Sequence, residues 1–121
     1  MSTRPQVSSG AGGDPRGPVS LPRIAEMRNA GQPIVMVTAY DFPSAQVVEE
    51  AAVDMVLVGD SAAMTVLGYD STVPVGMEEM LFLTSAVRRG LKTPLLIGDM
   101  PFGSYETSNE DAVRNAQRFV K

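Results

Sequence analysis

Met55-Val56-Leu57-Val58-Gly59-Asp60-Ser61 reads MVLVGDS, and Leu95-Leu96-Ile97-Gly98-Asp99-Met100 reads LLIGDM. Both are short apolar runs that close on Gly-Asp. Runs of this kind suit strands buried on both faces of a parallel sheet. Between them lies a helical pattern from about Met77 to Arg89, with Met80, Leu81, Thr84 and Val87 facing in and Gly90 at its end. Residues Ala62 to Val75, punctuated by Gly68 and Pro74, read as a long loop.

Upstream, Ile34 to Tyr40 (IVMVTAY) is a further β-branched run expected to be buried on both faces. Asp41 is placed to cap a helix with Pro43 in its first turn and Ala45, Val48, Ala51 and Ala52 on its packed side. Before that, Ser20 caps a helix with Pro22 in its first turn and a stripe of Leu21, Ile24, Ala25 and Met27; Gly31 and Pro33 stop it. Downstream, Thr107 and Glu110 form a capping-box pattern. Ala112, Val113, Ala116, Phe119 and Val120 follow at helical spacing. Residues 1–18 (MSTRPQVSSGAGGDPRGP) hold almost no large apolar side chain and read as a disordered tail.

The order is a helix, then β-α-β-α-β-α. Strands alternating with helices imply an α/β fold with a parallel sheet. Residues 19–121 form one such unit. The final amphipathic helix reaches Lys121 with no C-cap signal and no following strand, so the pattern is expected to be a truncated piece of a larger sheet.

The chain has 121 residues and a net charge of −4. An acidic balance without a Lys/Arg cluster argues against a nucleic-acid partner. There is no Cys and no His, so acid–base work falls to carboxylates, Lys, Tyr or water, and thiolate chemistry is excluded. No apolar run spans a bilayer, and no signal peptide is visible at the N-terminus.

Ligands of parallel α/β folds bind at the carboxyl ends of the strands. Asp60 and Asp99 stand at that end of neighbouring strands, which run about 5 Å apart. Two carboxylates so close repel in a dry site unless one is protonated or a cation lies between them. Magnesium suits such a pair, since it takes a few carboxylate oxygens and keeps positions for water or substrate. Each Asp has a plain structural reading as well, as a helix cap or a solvated strand end, and spacing alone does not choose. Ser61 reads either as a turn residue or as a hydroxyl for a substrate oxygen. Tyr40-Asp41 reads as a strand end followed by a cap. Arg88-Arg89 reads as a solvated helix end and the methionines as core filler.

Taken in order, Thr38-Ala39-Tyr40-Asp41, LVGDSAAMTVLGYDSTVPV from Leu57 to Val75, SAVRRG from Ser85 to Gly90 and GDMPFGSY from Gly98 to Tyr105 resemble the ketopantoate hydroxymethyltransferases of pantothenate biosynthesis. The resemblance runs from about Ser20 to Lys121. It implies a (β/α)8 TIM barrel, of which this chain carries the N-terminal helix and the first three βα units; such a barrel needs about 250 residues. It implies a cytoplasmic homo-oligomer, often a decamer. It implies transfer of a one-carbon unit from 5,10-methylenetetrahydrofolate to 3-methyl-2-oxobutanoate, giving 2-dehydropantoate. Magnesium would grip the 2-oxo acid and stabilise the enolate formed when C3 loses its proton.

By the same resemblance, Asp60 and Asp99 are metal ligands that also lie against the substrate, and Ser61 binds substrate. The family's remaining groups, a Lys and a Glu in a V-K-x-E-G-G segment and a glutamate that accepts the proton, match nothing in this chain. Lys121 aligns within the helix before that segment. The chain alone is therefore expected to be inactive. Ala52 stands where the family usually has Gly, at a cost on the order of 1 kcal/mol if the backbone there is left-handed. Other readings are a phosphoenolpyruvate mutase or isocitrate lyase-like 2-oxo acid enzyme, a receiver-like signalling module, and a non-catalytic interaction module.

Overall fold

The computed structural model describes residues 17–121. The tail reading therefore lies outside the described residues for positions 1–16. Eight elements follow in order: α1 (Leu21–Asn29), β1 (Met36–Thr38), α2 (Phe42–Glu50), β2 (Met55–Val58), α3 (Ala62–Thr65), α4 (Met77–Gly90), β3 (Leu95–Gly98) and α5 (Asn109–Val120). The strands form one parallel sheet in the order β1-β2-β3. Met36 pairs with Met55, and Val58 with Gly98.

The core explains the alternation. Val56 and Val58 of β2 point to one face of the sheet and are fully buried. Ala45 and Val48 of α2 and Met80, Leu83 and Val87 of α4 meet them in a single apolar cluster. Both helices therefore lie on the same side of the sheet. The contact between α2 and α4 is close because of a glycine. A Cβ at Gly90 would stand 2.7 Å from Ala45 Cβ and 3.0 Å from the Phe42 carbonyl oxygen. Gly90 is the last residue of α4 and is followed by an extended Leu91. Its role is to allow helix packing, not to supply a left-handed stop.

Helix starts follow their caps. Ser20 Oγ accepts from Arg23 N at 3.2 Å. Asp41 Oδ1 accepts from Ser44 N at 2.9 Å and from Ser44 Oγ at 2.6 Å, and these bonds hold its carboxyl below the usual Asp value. Glu79 Oε1 accepts from Gly76 N at 3.0 Å, at the start of α4. The cap of α5 is one residue later than the Thr107–Glu110 pattern indicates. Ser108 Oγ accepts from Asp111 N at 3.1 Å, while Thr107 Oγ1 donates to Asp111 Oδ2 at 2.8 Å.

Several expectations are corrected. β1 is not buried on both faces: Val35 is 48% and Met36 51% exposed, because β1 is an edge strand with a partner on one side among the described residues. The inward face of α4 carries Leu83 where Leu81 was expected, and Leu81 is half-buried. Ala51 and Ala52 are exposed, since α2 ends at Glu50 and turns away from the sheet. Leu21 and Ala25 of α1 are exposed, and Met27 alone in that helix is buried. The supposed loop after Ser61 begins with α3, whose Ala62 and Ala63 are small enough to sit fully buried under the strand tips. No residue of α5 is fully buried; Phe119 packs on the core, while Val120 is 88% exposed.

Buried polar groups tie the amino ends of the strands. Glu49 Oε1 accepts from Lys92 N at 2.6 Å and Thr93 N at 3.0 Å, so α2 is fastened to the turn before β3. Asp54 Oδ2 accepts from Val35 N at 2.9 Å. Val19 N donates to the Thr93 carbonyl at 2.8 Å, which seats α1 beneath the same end. Among the described residues, no helix is long and apolar enough to cross a membrane.

Candidate functional site

The opposite, carboxyl end of the sheet carries the candidate site residues Asp60, Ser61 and Asp99. β2 and β3 end at Val58 and Gly98, so Asp60 and Asp99 emerge just past the last paired residues. Asp99 N donates to the Val58 carbonyl at 3.0 Å, which continues the ladder by one step. The Asp99 carboxylate then turns across to β2: its Oδ2 accepts from Asp60 N at 3.0 Å. The two acids are thus joined, carboxylate to main-chain amide. This bond fixes one oxygen of Asp99 and the backbone direction of Asp60. Both residues are half-buried.

Gly59 sits between them. A Cβ there would lie 3.3 Å from Ser61 Oγ and 3.5 Å from Asp99 Oδ2. A side chain at this position would press on Ser61 Oγ and touch Asp99 Oδ2, so the glycine keeps this space between them open. The main chain after it turns at once into α3: Ala62 N and Ala63 N donate to the carbonyls of Gly59 and Asp60 at 3.1 and 2.9 Å. Ser61 is exposed, and its side chain makes no capping bond to α3.

That hydroxyl is instead held by Tyr40. The Tyr40 and Ser61 oxygens are 2.5 Å apart. Tyr40 stands two residues past β1, and its ring packs against the core cluster. Read from the sequence as a strand end before a cap, Tyr40 also bonds to the candidate site residue Ser61. The available signal was its place: a hydroxyl-bearing side chain after the first strand, at the same end of the sheet as Asp60 and Asp99. Tyr69 is a third hydroxyl, donating to Glu79 Oε2 at 2.9 Å; that bond and the carboxylate's charge raise its pKa. Among the described residues no group of three or more His, Cys, Asp or Glu is gathered for a metal. At the strand tips stand the Asp60 and Asp99 carboxylates and the Ser61 and Tyr40 hydroxyls, all hard oxygen ligands.

A sequential parallel sheet with helices on one side and polar oxygens at its carboxyl end defines an α/β protein, with its candidate site at the strand tips. The chain belongs to the ketopantoate hydroxymethyltransferase family, whose model matches residues 18–121. It is similar to a 3-methyl-2-oxobutanoate hydroxymethyltransferase of Geobacillus kaustophilus (strain HTA426), 58% identical over 95 residues, which cover 78% of this chain and 34% of that protein. The enzyme of the same name from Carboxydothermus hydrogenoformans is 56% identical over 103 residues, 85% of this chain and 37% of the relative. That from Heliobacterium modesticaldum is 50% identical over 103 residues. The chain spans about a third of the length of these curated relatives.

Proposed function

We propose that this chain carries the strand-tip part of a one-carbon transferase site, acting on 3-methyl-2-oxobutanoate with 5,10-methylenetetrahydrofolate as donor and yielding 2-dehydropantoate. The observation that carries the proposal is the bond between the Asp60 amide and the Asp99 carboxylate beside the open space at Gly59. A (β/α)8 barrel goes with it. In that fold strands run in sequence and helices keep to one side, as α2 and α4 do here. A doubly wound sheet would place helices on both faces. Homo-oligomerisation and a cytoplasmic setting belong to the same proposal.

The donor set fits magnesium. It consists of carboxylate oxygens, few enough for the ion to retain water, around a space that a Cβ at Gly59 would narrow. Asp60 and Asp99 would hold the ion, which when bound would supply Lewis acidity to the keto oxygen and so favour loss of the C3 proton. The chain's own groups do the rest of the work described here. The amide of Asp60 orients the Asp99 carboxylate, so that its second oxygen is presented in a fixed direction. The Ser61 hydroxyl would donate to the carboxylate of the 2-oxo acid. The proton acceptor is not assigned among the described residues. β1 and β3 also leave sheet edges unpaired there, so turnover is expected only with the rest of a barrel present.

The test is a chimaera in which this chain replaces the matching segment of the Geobacillus kaustophilus relative. It is expected to form 2-dehydropantoate in a magnesium-dependent assay. Asp60→Ala or Asp99→Ala is expected to cut the rate by about a hundredfold or more. A chimaera that folds by circular dichroism yet makes no product, or keeps its rate in both variants, refutes the proposal.

A further inference from the structure

We propose that Tyr40 is a positioning residue that sets the direction of the Ser61 hydroxyl toward the carboxylate of a bound 2-oxo acid. This rests on the substrate reading above. Ser61 is exposed at the start of α3 and makes no cap bond, so nothing in its own helix fixes its χ1 rotamer. Among the described residues, the side chain that bonds to it is Tyr40, with the two oxygens 2.5 Å apart.

The ring of Tyr40 is anchored against the core, while Ser61 stands on the exposed surface. The anchored partner therefore orients the exposed one. Either oxygen has a hydrogen to give, but a phenol is the more acidic of the two and the better donor. With Tyr40 donating, the Ser61 oxygen is occupied as an acceptor and its own O–H is released. That hydrogen is then available to another acceptor, and the space that a Cβ at Gly59 would take lies 3.3 Å from this oxygen. A bare carboxylate of a 2-oxo acid is an acceptor only, so a hydroxyl forced to donate matches it. Without the phenol, the Ser61 hydroxyl rotates freely, and its hydrogen is shared with water and with neighbouring acids.

The experiment measures binding of 3-methyl-2-oxobutanoate to the chimaera with the Geobacillus kaustophilus relative, by isothermal titration calorimetry in saturating magnesium chloride. Wild type, Tyr40→Phe, Ser61→Ala and the double variant are compared. Tyr40→Phe keeps the anchored ring and removes one hydroxyl. It is expected to weaken binding by about fivefold, the value of one neutral hydrogen bond. Its thermal midpoint is expected to stay at the wild-type value. On the Ser61→Ala background, Tyr40→Phe is expected to have no further effect, because the phenol acts through the serine.

Wild-type affinity in Tyr40→Phe overturns the proposal and leaves the substrate reading intact. So do fully additive effects of the two substitutions. A weakened Tyr40→Phe whose melting midpoint has also fallen overturns it in favour of a structural role. Absence of magnesium-dependent binding by the unsubstituted chimaera refutes the substrate reading and the inference together.

Discussion

Ala52 has φ of +57°, the left-handed region, and is the only non-glycine residue to have it among those described. An alanine there crowds its Cβ against the adjacent carbonyl, at a cost of about 1 kcal/mol relative to glycine. The turn needs the conformation because α2 must reverse after Glu50 to deliver Asp54 and β2, and Ala52 N bonds to the Glu49 carbonyl at 3.1 Å. Ala52→Gly is expected to raise stability to unfolding by up to about 1 kcal/mol, measured by urea denaturation, with an unchanged m-value. This strain was legible from the departure at a position where the family usually has glycine. The role of Tyr40 was not, because a hydrogen bond across 21 positions depends on where two strand tips meet in space.

At the scale of elements, the caps at Ser20 and Asp41 and the order of helices and strands were legible from local chemistry. Short helix α3 was not: four residues, AAMT, carry too little period to stand out from a loop. The burial of β1 was misjudged for a different reason. Its β-branched run states what the strand can bury, but the neighbour that would cover it is not among the described residues. The cap of α2 has a measurable consequence. Bonds from Ser44 hold the Asp41 carboxyl below its ordinary value of 3.8. A depressed folded-state pKa means that the cap stabilises the fold above the unfolded value and that this contribution is lost as pH falls through the folded one. The gap in thermal midpoint between wild type and Asp41→Asn is therefore expected to change only below about pH 4, moving against wild type, as followed by circular dichroism.

For the whole molecule, the sheet has a covered face and an edge at β1 lined by exposed Val35, Met36 and Val37. Unpaired strand edges with apolar side chains recruit other strands. The chain alone is therefore expected to self-associate through β1 as concentration rises. Met36→Lys is expected to weaken that association about tenfold by light scattering, because an ammonium cannot be buried in a strand pair. The same arrangement explains why fold class was readable and closure was not. Alternation of strand and helix follows from local periods, whereas the ring that a barrel completes is a property of strands far apart in sequence.

The amide-to-carboxylate bridge between Asp60 and Asp99 has one more consequence, for how substitutions at this site are interpreted. Truncating Asp99 also unties the peptide group of Asp60, so a scan that changes one acid at a time counts part of the same loss twice. Their separate contributions become visible only in a four-protein thermodynamic square, and Asp99→Asn, which retains an oxygen for that amide, is the substitution that isolates charge from posture.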